Sequence, residues 1–240
     1  MNKKILPFLS LAPVLLASWS HAAEITWGSA TNITGDSDVS TDGSLVVAAS
    51  FNTGFASIVV NDVTFAGGGN NANMRDSDTY GAALSYDVTK NADAAYAEDV
   101  SPFNALSPNY QNLLGSGLWD DSGSTAEAFT IGGLSINQEY QIQIWAQDAR
   151  SGKEGNALTI AGAEGVSMLY TDRDTAGGLG QYVIGTFTAD AATQSFTFDV
   201  DSNWHVNAVQ VRSIPEPQTF SLLAASCALL FVMCNRRKHS

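Results

Sequence analysis

The side chains here that could do chemistry are carboxylates, carboxamides and indoles. Between the two chain ends the one histidine is His205, and both cysteines, Cys227 and Cys234, lie in the last apolar run. That excludes a Cys–His nucleophile pair, a His-Glu-x-x-His zinc site and a disulfide framework from residues 24–214. No Gly-x-Ser-x-Gly elbow, P-loop or dinucleotide fingerprint occurs. A Ser–His–Asp set would have to gather around His205 with nothing in the sequence to mark it. Glycoside hydrolysis needs two carboxylates at a set separation. With 23 acidic residues between 24 and 214, that requirement selects none of them. Most are aspartates in turns, where the side chain caps backbone amides.

Binding chemistry is better supplied. Asp36 and Asp38 with Asp42, Asp76 with Asp78, Asp172 with Asp174, and Asp199 with Asp201 set oxygen ligands two residues apart. Hard cations such as calcium take such clusters. None has the EF-hand spacing, and Arg173 and Val200 are poor neighbours for a cage. Sugars instead suit flat aromatics beside amides and carboxylates, because a pyranose has an apolar face and a hydroxyl rim. Trp145 shares its strand register with Gln141, Gln143 and Gln147, and Asp148 and Arg150 follow. Trp119-Asp120 lies in an irregular stretch, and Trp204-His205 opens the last strand. The candidate glycan-binding set is therefore Trp119, Asp120, Gln143, Trp145, Asp148, Arg150, Trp204 and His205. The competing role for each tryptophan is packing in the core or under a loop.

These residues need strands to position them, and the middle of the chain reads as all-β. β-branched and aromatic runs alternate with Gly, Asn, Asp, Ser and Thr turn clusters. Segments 25–27, 44–51, 58–60 and 63–65 come first, with Asn61-Asp62 closing a hairpin. Residues 80–88 form a further expected strand and 93–99 a weak helix. Tyr110 to Gly115 is expected to form a helical turn in the least legible part, 75–124. The clearest period-two pattern is 138–148: Tyr140, Ile142, Ile144 and Ala146 share one face, with Glu139, Gln141, Gln143, Trp145 and Gln147 on an expected polar face. Strands at 156–160, 166–170, 182–188, 194–200 and 204–212 follow. In the last, Trp204, Val206 and Ala208 share one face but Val209 and Val211 the other, which predicts a β-bulge near Asn207. The fold class is an antiparallel β-sandwich, a jelly roll, over residues 24–212.

The ends are of a different kind. Lys3 and Lys4, the apolar run 5–19 and Ser20-His21-Ala22 have the layout of a cleaved secretory signal, residues 1–22. At the other end, 213–240 holds Pro215-Glu216-Pro217, an apolar run at 219–234 and Arg236-Arg237-Lys238. The 16-residue run would be about 24 Å long as a helix, somewhat short of a ~30 Å hydrocarbon core. The basic cluster would hold its far end on the cytoplasmic side. This layout resembles the PEP-CTERM sorting signal of exported bacterial proteins. The resemblance implies recognition by a membrane-embedded sorting protease of the exosortase type, which cuts near the Pro-Glu-Pro motif. Pro215, Glu216, Pro217, Arg236, Arg237 and Lys238 would then be a substrate signal. It also implies export to the cell envelope, outer surface or extracellular matrix, with transient anchoring in the inner membrane by a C-terminal transmembrane helix. A second resemblance, to galactose-binding-like jelly rolls, rests on Gly133-Leu134-Ser135, on Gly185-Thr186-Phe187-Thr188-Ala189-Asp190, and on Val206-Asn207-Ala208-Val209-Gln210-Val211-Arg212. It covers about 24–212 and transfers no ligand.

Residues 24–214 carry 23 acidic against 6 basic side chains, a formal charge of −17. That charge repels phosphate backbones and argues against nucleic-acid partners. The expected function is an exported, non-catalytic envelope or matrix module whose candidate ligand is extracellular polysaccharide, with no cofactor assigned and calcium as the candidate cation. The alternatives are a secreted polysaccharide hydrolase and a purely structural surface protein.

Overall fold

A computed structural model describes residues 23–51, 57–67, 79–80, 84–87, 92–93, 99–120, 127–150, 157–162, 165–170, 178–198 and 204–215. The expected signal peptide, Asp172, Asp174 and everything from Glu216 to the basic cluster lie outside these. Among the described residues no helix is long and apolar enough to cross a membrane.

The described chain is mostly β. It opens with β1 (Thr26–Trp27) and β2 (Thr31–Asn32), then β3 (Ser44–Ser50) and a hairpin of β4 (Ser57–Val60) and β5 (Val63–Gly67). Asn61 and Asp62 have φ of 46° and 62°, the paired positive values of a tight hairpin that Asn and Asp tolerate. Next come β6 (Thr79–Tyr80) and β7 (Leu84–Asp87), where one strand was expected, and β8 (Ala92–Asp93); of the expected weak helix 93–99, residues 94–98 lie outside the described residues. β6 and β7 pair antiparallel as two short pieces. Helix α1 (Pro108–Leu114) starts two residues before the expected turn: Pro108 takes the first turn, and the Ser107 hydroxyl accepts from the Tyr110 N–H at 3.2 Å. The rest is β9 (Gly117–Asp120), β10 (Glu127–Gly132), β11 (Glu139–Ala146), β12 (Ala157–Gly162), β13 (Gly165–Tyr170), β14 (Gln181–Thr188), β15 (Thr193–Phe198), β16 (Trp204–Val206) and β17 (Ala208–Ser213).

The large sheet runs β1-β14-β11-β17-β3-β5-β4, with β2 also on β14. Smaller sheets are β15-β10-β7-β6, β16-β9-β8 and β12-β13, and none closes on itself. The pairing is antiparallel throughout except between β3 and β5, which run parallel over Ala49–Ala66 and Ser50–Gly67. That pair departs from the expected all-antiparallel arrangement.

One face of the large sheet buries Ile142, Ile144, Val183, Phe187, Val209 and Val211 against Leu84, Phe129, Ile131 and Phe196 of the four-stranded sheet. Phe129 stacks on Phe196 at 5.6 Å. Gly185 is required here, because a Cβ on it would sit 2.6 Å from both Ile25 and the Trp27 ring. The other face was expected to be open. It is instead a second interior, in which Ile33, Val39, the β4–β5 hairpin and α1 cover Trp145, Ala48 and Ala208. From Ile142 onward β11 is therefore buried on both sides, and Gln143 and Trp145 of its polar register are inward-facing groups.

The alternation slip at Asn207 also has a different cause from a bulge. Val206 ends β16 in one sheet, Ala208 begins β17 in another, and Asn207 is the step between them. The ladder irregularity of β17 with β3 comes later, between Val211 and Arg212.

Candidate functional site

The residues singled out for chemistry separate into two places. The first is the covered face of β11. Gln143 is fully buried; its carboxamide donates to the Asp38 carbonyl at 2.7 Å and accepts from the Ser40 N–H at 3.0 Å. Gln210 on β17 donates to Gln143 Oε1 at 2.7 Å and to the Ser40 carbonyl at 3.1 Å. Gln141 accepts from the Ser40 hydroxyl at 2.8 Å. Arg212 donates to three successive carbonyls, Thr41, Asp42 and Gly43, at 3.0, 2.6 and 3.1 Å. Burial lowers the Arg212 pKa from its ordinary value, and the Asp42 carboxylate opposes that. Residues 38–43 have little regular backbone pairing, so carboxamides and a guanidinium satisfy their polar groups instead. This is a clamp on a loop.

Trp145 belongs to the same interior. It is 0 % exposed, its ring meets Phe65 edge-on at 5.7 Å, and its indole N–H donates to Tyr110 Oη at 3.1 Å. It offers no face to a sugar, and neither does Gln143. The sequence could not separate the cases, because a strand bearing Gln and Trp looks alike whether its partner is water or a loop of the same chain. Tyr110, the partner that fixes Trp145, carried no signal beyond its place in a helical turn. Burial, reinforced by the Asp38 charge, pushes the Tyr110 hydroxyl well above its ordinary range. The native state thus keeps a proton that the unfolded chain releases above about pH 10, so this site's stability is present below that pH and falls as pH rises. Tyr110→Phe is expected to flatten the alkaline fall in unfolding free energy, by up to about 1.4 kcal/mol per pH unit, in denaturant melts between pH 9 and 11. At neutral pH it should cost about 1–3 kcal/mol for the orphaned indole N–H.

Of the calcium candidates within the described residues, the carboxylates of Asp36 and Asp38 are engaged. The Asp38 carboxylate accepts from Thr34 N–H, Thr34 Oγ1 and Gly35 N–H at 2.6, 2.8 and 2.9 Å. Asp36 accepts from the Ser107 hydroxyl at 2.6 Å, tying the loop to the start of α1. Among the described residues no three His, Cys, Asp or Glu side chains gather as a metal-holding group.

The second place is the β9–β16 ladder beside the end of β11. Trp204 is registered opposite Asp120, and His205 opposite Trp119. Asp148 is fully buried, and its carboxylate takes the Arg150 guanidinium at 2.8 Å through both oxygens. Asn207 links these pieces. Its Oδ1 accepts from the Gln147 N–H at 2.6 Å, and its Nδ2 lies 2.8, 3.0 and 3.1 Å from the carbonyls of Leu114, Ser116 and Gln147. One buried carboxamide therefore joins the end of α1, the start of β9, the end of β11 and the β16–β17 step. Six of the eight candidate glycan residues lie on the backbone segments that meet here: Trp119 and Asp120 on β9, Asp148 and Arg150 after β11, and Trp204 and His205 on β16. The sequence marked Asn207 through the slip in alternation, but gave no sign of this role. No protein-family model, curated protein or solved structure matches the chain.

Proposed function

We propose that this chain is an exported, non-catalytic β-sandwich module of jelly-roll type. In this reading it is sorted to the cell envelope or matrix through Pro215-Glu216-Pro217 and its apolar, basic-ended tail, and it binds carbohydrate at the β9–β16 end. The observation that carries the reading is the tail sequence itself, a Pro-Glu-Pro triplet, a 16-residue apolar run and Arg236-Arg237-Lys238 in that order. What supports a scaffold over an enzyme is the use of its interior polar groups. Gln143, Gln210 and Arg212 are committed to the chain's own backbone, and the Asp148 carboxylate is paired with Arg150.

Fractionation of cells producing the full chain tests the sorting. The native tail should yield a shortened species outside the inner membrane, and Pro215→Ala/Glu216→Ala/Pro217→Ala an uncut one retained in it; identical fractionation would sink the proposal. A glycan array with and without calcium tests the ligand. Trp119→Ala and His205→Ala, checked by thermal melt, should abolish retention that Gln141→Ala leaves intact. No retention at all leaves a structural surface protein. Sugar release that one Asp→Asn change removes would make it a hydrolase.

A further inference from the structure

We infer that the end of the large sheet formed by residues 41–45 and 133–138 is a lipid-facing surface that rests on a bilayer of zwitterionic headgroups; this depends on the reading of 219–234 as a membrane span. The sheet places four strand termini together at this end: the starts of β3 and β11 and the ends of β14 and β17. The chain leaves the domain from β17, and its exit is held rigidly. The Ile214 N–H donates to the Glu139 carbonyl at 2.9 Å, and the Ile214 carbonyl accepts from Gln138 Nε2. Arg212 fixes the neighbouring 41–43 loop from below.

No stalk follows this anchored exit. Glu216, Pro217 and Gln218 alone separate Pro215 from the apolar run. Four residue steps reach at most ~14 Å. A bilayer's headgroup zone takes up about 5–8 Å of that on each side. The domain must therefore stand with its exit end at the lipid surface.

That end is built for such a position. Four large apolar side chains are exposed among the described residues: Leu45, Val59, Val100 and Ile136. Two of them flank the exit. Leu45, 42 % exposed, is on β3, the strand to one side of β17. Ile136, 59 % exposed, is in the turn that enters β11 on the other side. Isolated apolar residues on a water-facing turn are ordinary, but here they border the one point tied to the membrane. Asp42, Glu139 and Asp190 are exposed at the same end. Their charge disfavours an anionic lipid surface and selects zwitterionic headgroups.

The test uses the full chain in phosphatidylcholine vesicles with an environment-sensitive fluorophore on single cysteines and a lipid-borne doxyl quencher. With Cys227→Ser and Cys234→Ser in place, Ile136→Cys reports the proposed surface. Asn32→Cys, exposed and paired with the far end of β14, reports about 23 Å away. A third sample keeps Cys227 and carries Cys234→Ser to report the tail. Expected is loss of most of the emission at 136 and at 227, with none at 32. Equal quenching at 136 and 32, or none at 136, with 227 quenched, overturns the orientation while leaving the span standing. An unquenched label at 227 overturns the span and this inference with it.

Discussion

Asn207→Ala is expected to lower the unfolding free energy by about 4 kcal/mol or more, because it leaves one buried N–H and three carbonyls without the side chain they share, at about 1–3 kcal/mol per orphaned group. A domain of this size holds about 5–15 kcal/mol in total, so a fall of that order brings it close to unfolding at 37 °C. The change removes little apolar area, which separates this loss from an ordinary core truncation. Asn207→Asp sharpens the test. It keeps the shape but turns the donating end, which now faces the carbonyls of Leu114, Ser116 and Gln147, into an acceptor. Burial among carbonyls would raise the pKa of that carboxyl, so the penalty grows as pH rises above the ordinary aspartate value of about 4. Urea melts of the three proteins at pH 4 and 7 check both statements. A loss under about 1 kcal/mol for Asn207→Ala would show that the four groups find other partners.

Trp145→Ala should cost about 3–5 kcal/mol, by a different route. It opens a cavity between Phe65 and Tyr110 and strands the Tyr110 hydroxyl. Trp145→Phe should recover most of the loss, since it refills most of the volume and forfeits one hydrogen bond worth about 1 kcal/mol. The same numbers bear on function. Any fall in glycan retention by Trp145→Ala would report unfolding, so a binding assay on that variant must be read beside its melting curve. Trp119 and His205 are the informative positions.

Parts of this were legible in the sequence and parts were not. The turn at Asn61-Asp62, the helical turn around Tyr110 and the alternating β11 each have a local cause, and each is found where its residues put it. The covered face of β11 was not legible. Gln141, Gln143 and Trp145 read as a wet surface because carboxamides and indoles serve solvent and buried backbone equally well. The loop that covers them announces itself only through Ile33 and Val39. Asn207 shows the same limit: a slipped alternation marks a break in a strand, while the four groups that the side chain serves come from segments up to 93 residues away.

The place of β17 in the large sheet has a consequence for the order in which the molecule forms. The last strand of the domain is an interior one, between β11 and β3, and it brings Ser213 beside Ser44, 169 positions earlier. Until residues 208–213 are available, β3 and β11 both present bare edges and the sheet is in two halves. Assembly must therefore wait for the very end of the domain to emerge, so long-range closure dominates the folding time. If the chain is exported as proposed and crosses the membrane as an extended thread, that delay would keep it threadable until nearly all of it is across.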